Sequence, residues 1–291
     1  MRYPELQNLE TPRLILRRIR MSDLDQYYRL YSDCAMCRYM TFDPHETIGQ
    51  STASLEKVLA RYEQGRCYRW GIALKEDDTL IGVIELLRFD ELANSCSFAY
   101  MLGSWIWNRG YGTEALKAAV AFAFEQMDIT WVRVDHMYAN TASGAVMRKV
   151  GMTHTGTIAG KYSKHGTTYD AEAYEIRNPG HPPLTVSDYQ KLAMTTLNPE
   201  LNKKDVLING VMGLCGESGE AIDIVKKWLA QGHKLDKEKL AKELGDIAWY
   251  LAETASALDL DLEDVFQANI RKLKQRYPEG FDSRRSIYRN V

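Results

Sequence analysis

Asn178-Pro-Gly-His-Pro-Pro-Leu184 packs three prolines and a glycine into a stretch that neither a helix interior nor a central strand can hold. The chain changes character across it. Before the break, short β-type runs alternate with helices; after it, the pattern is helical throughout. At 291 residues the chain has length for two ordinary domains. The break sets them at residues 1–178 and 185–291, with 179–184 as linker.

Composition narrows what the two parts do. With 45% hydrophobic and 26% charged residues, the chain reads as a soluble globular protein. A formal net charge of −2 gives no electrostatic basis for binding a nucleic-acid polymer or an anionic membrane. Any polyanion it takes should be small and met by a local site. The opening Met-Arg-Tyr-Pro-Glu-Leu-Gln lacks the apolar core of a signal peptide, and no stretch has the length of a transmembrane helix, so a cytoplasmic location is expected. Cys34 and Cys37 form a C-x-x-C with no second pair at zinc-finger spacing, which reads as an ordinary reduced pair. Cys67, Cys96 and Cys215 sit among apolar neighbours and read as small core residues.

In the first part, strands are expected near Leu14–Arg18, Trp70–Lys75, Leu80–Leu87, Ser95–Leu102, Trp131–His136, Thr153–Ala159 and Thr168–Ile176. Helices are expected at Ser22–Tyr31, opened by Ser22 and Asp23, and at Ser51–Glu63, Gly112–Met127 and Ser143–Val150. That order predicts an α/β (α+β) domain with helices on both sides of one mixed sheet. In the second part, helices are expected near Val186–Thr196, Lys203–Ala230, Lys237–Leu258 and Leu262–Tyr277, and the short connections favour an antiparallel four-helix bundle.

Two places carry chemistry. Trp107-Asn-Arg-Gly-Tyr-Gly-Thr113 lies between a strand and a long helix. A glycine turn running into a helix N-terminus offers backbone amides and a favourable dipole to an anion, and phosphate is the natural guest. Glu114 reads as a favourable charge in the first helical turn. The other place is a pair of acidic pairs, Glu217-Ser-Gly-Glu220 and Glu243-Leu-Gly-Asp246. Spacing i, i+3 puts both acids of a pair on one side of a helix, and two such helices packed antiparallel would bring four carboxylates together. Such a cluster repels itself unless it takes up protons or a hard cation such as Mg²⁺. Gly210, Gly213, Gly216 and Gly219 interrupt one of these helices and Gly245 sits inside the second acidic pair, each costing about 1 kcal/mol relative to alanine. That cost predicts close approach of another helix or a ligand. A solvated acidic face supported by Lys226, Lys227, Lys239 and Lys242 is the competing reading.

The first segment, with its Gly-Tyr-Gly-Thr-Glu-Ala and a preceding Trp107, resembles the acetyl-CoA-binding motif of the GNAT acetyltransferases, in the branch of the ribosomal-protein alanine acetyltransferases. Thr11-Pro-Arg-Leu-Ile-Leu-Arg-Arg18 with Asp23, and Asn140-Thr-Ala-Ser143 before Met147-Arg-Lys-Val-Gly-Met152, extend the resemblance along nearly the whole first domain. It implies a splayed sheet, with acetyl-CoA pyrophosphate on the amides of Arg109, Gly110, Tyr111, Gly112 and Thr113. The pantetheine arm would lie near Phe98–Leu102 with Asn140 in contact, and Ser143 would touch the cofactor or protonate its leaving thiolate. The reaction needs a base for the amine, and no residue announces itself. Glu85, inside the apolar run Ile81–Leu87, is the candidate; the other reading is a strand-end carboxylate in water or paired with Arg88. His136 reads as a strand-end histidine.

The second domain resembles the MazG-type all-α nucleoside triphosphate pyrophosphohydrolases through Gly213-Leu-Cys-Gly-Glu-Ser-Gly-Glu220, Glu243-Leu-Gly-Asp-Ile-Ala-Trp-Tyr-Leu251, Asn269-Ile-Arg-Lys-Leu-Lys-Gln-Arg-Tyr-Pro278 and Asp188-Tyr-Gln190 with Ala193. The resemblance implies Mg²⁺ on Glu217, Glu220, Glu243 and Asp246, with one of these acids as base for a water that attacks the α-phosphorus. It also implies nucleotide or phosphate contacts from Asn269, Lys272 and Arg276, and assembly as a dimer or tetramer through the bundle. Trp228 and Trp249 read as core packing before base stacking. Taken together, the sequence predicts a bifunctional enzyme: acetyl-CoA-dependent N-acetylation of an amine or protein N-terminus, and Mg²⁺-dependent hydrolysis of a small nucleotide to monophosphate and pyrophosphate. The alternatives are a hydrolase whose first domain only binds acetyl-CoA, and an acetyltransferase whose bundle serves association.

Overall fold

The structure is a computed structural model that describes residues 4–65 and 67–283. Residues 1–3 of the N-terminal stretch read above, residue 66, and the end of the second domain from 284 to 291 lie outside the described residues. The chain divides into two compact units, Met1–Pro182 and Pro183–Val291.

The first unit is an eight-stranded mixed sheet in the order β1-β2-β3-β4-β5-β6-β8-β7. Its strands are β1 (Leu9–Glu10), β2 (Leu14–Arg17), β3 (Arg69–Leu74), β4 (Leu80–Asp90), β5 (Ser95–Leu102), β6 (Trp131–Met137), β7 (Thr153–Lys164) and β8 (Thr167–Arg177). Between them run α1 (Leu24–Tyr31), α2 (Cys34–Cys37), α3 (Ile48–Glu63), α4 (Tyr111–Glu125) and α5 (Thr141–Val150). Strand β4 is buried on both faces over its first seven residues, as a strand sandwiched between helix layers must be. Ile81, Ile84 and Leu86 join the core under α4, with Leu116, Val120 and Phe122. Leu80 and Val83 join a second core with Tyr27, Leu30 and Leu55 of α1 and α3.

The sheet is antiparallel except where β5 meets β6. That parallel ladder pairs Ser95 with Trp131 and Cys96 with Val132 and then stops, while β5 stays registered on β4 through Leu102. The two strands therefore splay, and the far half of β5 carries an edge that β6 does not cover.

The helix starts follow local chemistry. Thr47 caps α3 with Gln50 reaching back, which moves its start three residues ahead of the Ser51 expected from the sequence. Asp23 sits in a one-turn 3-10 helix, not in α1, because it is drawn to the Arg17 guanidinium at 2.8 and 2.9 Å and to the Arg20 amide at 2.7 Å. Two short elements, β1 and α2, were below the reach of periodicity; Asp33 nucleates α2 by accepting from the amides of Ala35 and Met36. The C-x-x-C holds no disulfide: Cys34 is exposed, and burial pushes the Cys37 thiol up to about 11.

The second unit has four helices among the described residues: α6 (Val186–Met194), α7 (Lys203–Ala230), α8 (Lys237–Ala257) and α9 (Leu262–Arg276). The side chains of Thr185, Asn202, Asp236 and Asp261 each cap one of them. The buried core is small, built on Ala193, Ala252, Ala255 and Leu262. Cys215 is exposed, not part of a core. The glycines of α7 split into two kinds. A Cβ on Gly210 would meet the Thr254 backbone at 3.2 and 3.3 Å, and one on Gly213 would overlap the Tyr250 ring, so these two let α7 press onto α8. Gly216, Gly219 and Gly245 face open space.

This split predicts opposite signs for two substitutions. Gly210→Val should destabilise the second unit by about 1–3 kcal/mol through overpacking. Gly219→Ala should stabilise it by about 0.5–1 kcal/mol through helix propensity. Denaturant titration of the two variants checks both signs.

Candidate active sites

In the first unit the splay of β5 opens onto a cavity of about 320 Å³. Its floor is the far end of β5, its two walls are the turn before α4 and the start of α5, and Met36, Tyr39 and Met40 close it beyond. The turn before α4 is held in place by Arg13. This guanidinium donates to the Arg109 carbonyl at 2.9 Å, pairs with Glu114 at 2.6 Å and covers the Tyr111 ring at 4.4 Å. Trp107 donates its indole N–H to the Leu102 carbonyl at 2.8 Å, tying the same turn to β5.

Gly110 is the N-cap of α4 at φ 82°, a conformation glycine adopts without penalty, and no side chain caps this helix. The first amides of α4, on Tyr111, Gly112 and Thr113, are thereby left for an anion, and the helix dipole reinforces them. A Cβ on Gly112 would meet Leu102 Cδ1 at 3.3 Å, so the helix start lies against the end of β5. Glu114 would repel that anion, yet it is turned to Thr11 and Arg13. Partial burial raises its carboxyl, but these hydrogen bonds and the Arg13 charge outweigh that and hold it below the ordinary glutamate value.

Asn140 caps α5, its side-chain oxygen accepting from the Ser143 amide at 3.3 Å, and both residues line the cavity. The Ser143 hydroxyl lies 2.7 Å from the Tyr100 hydroxyl across the splay. Gly110, Tyr111, Gly112, Thr113, Asn140 and Ser143 thus line one space, while Arg109 lies outside its lining with its carbonyl held by Arg13. This space suits a phosphorylated, extended acyl carrier: amides for its anionic end, and an uncovered strand edge for an amide-bearing arm.

Glu85 is elsewhere. It is buried and its two oxygens accept from Arg61 at 2.7 Å and Arg69 at 2.9 Å, outside the cavity lining. Neither sequence reading foresaw this, because both arginines come from distant segments; Arg88 pairs with Asp135 instead. A carboxylate with both oxygens occupied by guanidinium is poorly disposed to act as base. His136 is buried, its Nδ1 bonded to the Met137 carbonyl at 2.8 Å and its ring stacked on Tyr174.

In the second unit, Glu217 of α7 and Glu243 and Asp246 of α8 each offer an oxygen within 4.8 Å of the others. Glu243 is buried, Glu217 half-buried and Asp246 exposed. The Glu217 carboxyl is raised above its ordinary value, first by desolvation and then by the charges of Glu220, Asp246 and Glu243. Glu220 lies outside this trio, exposed and one turn along α7. Crowded oxygen donors of one sign are the donor set of a hard divalent cation, so these residues fit Mg²⁺.

On the same side of α8, two turns beyond Asp246, sits Glu253, fully buried, its oxygens accepting from Asn209 of α7 at 3.0 and 3.1 Å. The seven-residue spacing from Asp246 was the available signal for it. Among the described residues, no hydrogen bond or ion pair joins Asn269 or Lys272 of α9 to the trio, and Arg276 lies over the Tyr277 ring at 6.0 Å. Trp249 donates to Ala193 and Thr196, a packing role, whereas Trp228 is half exposed rather than in the core.

Comparison with known proteins matches each unit separately. A family model described as the acetyltransferase (GNAT) domain matches residues 13–153, and one described as the MazG nucleotide pyrophosphohydrolase domain matches residues 209–281. An uncharacterised N-acetyltransferase of Bacillus subtilis, YoaA, is 27% identical over 171 residues, covering 59% of this chain and 97% of that protein. The Gene 37 protein of Mycobacterium phage L5 is 41% identical over 73 residues, 24% of this chain and 64% of that protein. The crystal structure of the ribosomal-protein-S5-alanine acetyltransferase from Vibrio fischeri superposes with a TM-score of 0.53 at 14% identity, over 61% of this chain and 100% of that one. The last is a likeness of fold. Among the described residues, no helix is long and apolar enough to cross a membrane.

Charge crowding at the trio sets an expected response to cations. At about neutral pH, Mg²⁺ should raise the melting temperature of the second unit by about 2–5 °C. The rise should shrink as pH falls through the carboxylate range, because protons then compete for Glu217. It should vanish in Glu217→Gln/Asp246→Asn, as followed by calorimetry.

Proposed function

Because the first unit is a member of the GNAT acetyltransferase family and the second a member of the MazG nucleotide pyrophosphohydrolase family, we propose that this chain is a bifunctional cytoplasmic enzyme. One unit N-acetylates an amine from acetyl-CoA; the other hydrolyses a nucleoside triphosphate to monophosphate and pyrophosphate. The convergence of Glu217, Glu243 and Asp246 is the observation that carries the hydrolytic half.

These three carboxylates would hold Mg²⁺, which when bound neutralises polyphosphate oxygens and makes a water a better nucleophile. Glu220, exposed beside them and outside the trio, would be the base for that water. Lys272 and Arg276, one turn apart on α9, and Asn269 before them are the groups for the phosphate tail and nucleotide. Ile208, Val211, Met212, Ile222, Val225 and Leu229 leave α7 with a broad exposed apolar surface. That surface supports association of the bundle into a homo-oligomer, which sedimentation should reveal as a dimer or larger species dispersed by Ile222→Glu/Leu229→Glu.

In the first unit the donor's thioester supplies the activated acetyl group. The amides of Tyr111, Gly112 and Thr113 bind its pyrophosphate, and Asn140 and Ser143 meet the arm and sulfur. Among the described residues no aspartate, glutamate or histidine lines the cavity. An acceptor amine must therefore arrive neutral or lose its proton to water, and a polycation finds no acidic wall. The same absence favours one second reading, in which the first unit binds acetyl-CoA as a regulatory module.

Acetylation of amine and peptide panels, with calorimetry against acetyl-CoA, separates these two readings: tight binding without turnover selects the second. For the hydrolase, pyrophosphate release from a panel of nucleotides should fall about 100-fold or more in Glu217→Gln/Glu243→Gln, while acetyl-CoA binding stays unchanged. Release that survives this double substitution would remove the trio from the reaction.

A further inference from the structure

We propose that Tyr100 is a positioning residue that fixes the Ser143 hydroxyl as a hydrogen-bond donor into the acyl-donor cavity, where it steadies the thiolate that leaves during acetyl transfer. The inference rests on the acetyltransferase reading above and adds a residue to it.

Tyr100 stands on β5 and Ser143 in the first turn of α5, and both line the cavity. Their hydroxyls are 2.7 Å apart. A serine hydroxyl carries one proton and rotates freely, so a neighbour decides where that proton points. Tyr100 is suited to decide it. Burial pushes its phenol up to about 12, so it keeps its proton at neutral pH and acts as a donor. It has two acceptors within reach, Ser143 Oγ at 2.7 Å and the Ser143 carbonyl at 3.3 Å.

The shorter contact is the better hydrogen bond, and the carbonyl lies inside α5, where the helix ladder already serves it. With the tyrosine proton on Oγ, the serine's own proton must turn elsewhere, and the cavity is what both side chains border. Asn140 fixes the Ser143 backbone from below by accepting its amide. The site also lies in the first turn of α5, whose dipole favours negative charge. Donor to donor, the chain Tyr100–Ser143–sulfur is polarised in one direction, and each bond strengthens the next.

In the step itself the acyl carbon–nitrogen bond forms and the carbon–sulfur bond breaks, with the electron pair leaving on sulfur. Ser143 donates a hydrogen bond to that charge and keeps its proton. The proton lost by the amine passes through solvent and ends on the thiol, so acetyl-CoA and amine yield amide and CoA with nothing left over.

The test needs no acceptor and no turnover. CoA is bound to the full-length protein, and its thiol is titrated by ultraviolet thiolate absorbance. In the wild type, bound CoA should ionise below free CoA. In Tyr100→Phe, which keeps the ring, and in Ser143→Ala, it should ionise about one pH unit higher than in the wild type. The double variant should add nothing further, because the two hydroxyls act in series. Affinity for desulfo-CoA, which lacks the sulfur, should be the same in all four proteins.

A thiol that titrates in Tyr100→Phe as it does in the wild type overturns the inference and leaves the acetyltransferase reading standing. Desulfo-CoA affinity that falls in parallel also overturns it, by assigning Tyr100 a structural part. Failure of the wild type to bind CoA at all removes the acetyltransferase reading and the inference together.

Discussion

Pressing α7 onto α8 at Gly210 and Gly213 forces like charges together, and most of the second unit follows from that constraint. The two helices approach closely enough for Glu217 to share space with Glu243 and Asp246. The Glu217 carboxyl is raised first by desolvation and then by the charges of Glu220, Asp246 and Glu243. Such a cluster is unfavourable in a bundle whose central buried cluster among the described residues is Ala193, Ala252, Ala255 and Leu262. Protons or a hard divalent cation would relieve it, and in the function proposed above that cation would also meet the polyphosphate.

The first unit would meet phosphate by a different device. It offers uncapped amides at Tyr111–Thr113, with Arg13 holding the turn and Glu114 held aside by Thr11 and Arg13. Preorganised amides need no metal to bind a pyrophosphate. The second device is the early end of the β5–β6 ladder, which leaves half of β5 exposed to a guest. On the function proposed above, one chain would carry both common solutions to binding phosphate: neutral dipoles in the first unit, and a metal between carboxylates in the second.

The sequence made legible whatever depends on short range. The division between the two units falls in the proline cluster, helical spacing found α6 to α9 nearly to their ends, and the glycine turn lies at the uncapped start of α4. It was weaker where a residue's fate depends on a distant partner. Glu85 looked like a buried base because its neighbours in the chain are apolar, yet Arg61 and Arg69 neutralise it from α3 and β3. Arg13 and Tyr100, which hold the turn and Ser143, carry no local signature. Cys215 sits in an apolar run and is still exposed, on a helix whose Ile222, Val225 and Leu229 are likewise exposed among the described residues. The expected close approach of a helix is met at Gly210 and Gly213, while a Cβ on Gly216, Gly219 or Gly245 would meet nothing within 4 Å among the described residues.

The central claim, that the acidic trio exists to hold a divalent cation, is tested most directly by titrating Mn²⁺ into the protein and following the signal of the free ion by electron paramagnetic resonance. The account predicts saturable uptake that Mg²⁺ displaces, that strengthens when a nucleoside triphosphate is added, and that is lost in Glu243→Gln. Uptake of the same strength in that variant, or none in the wild type, would contradict it.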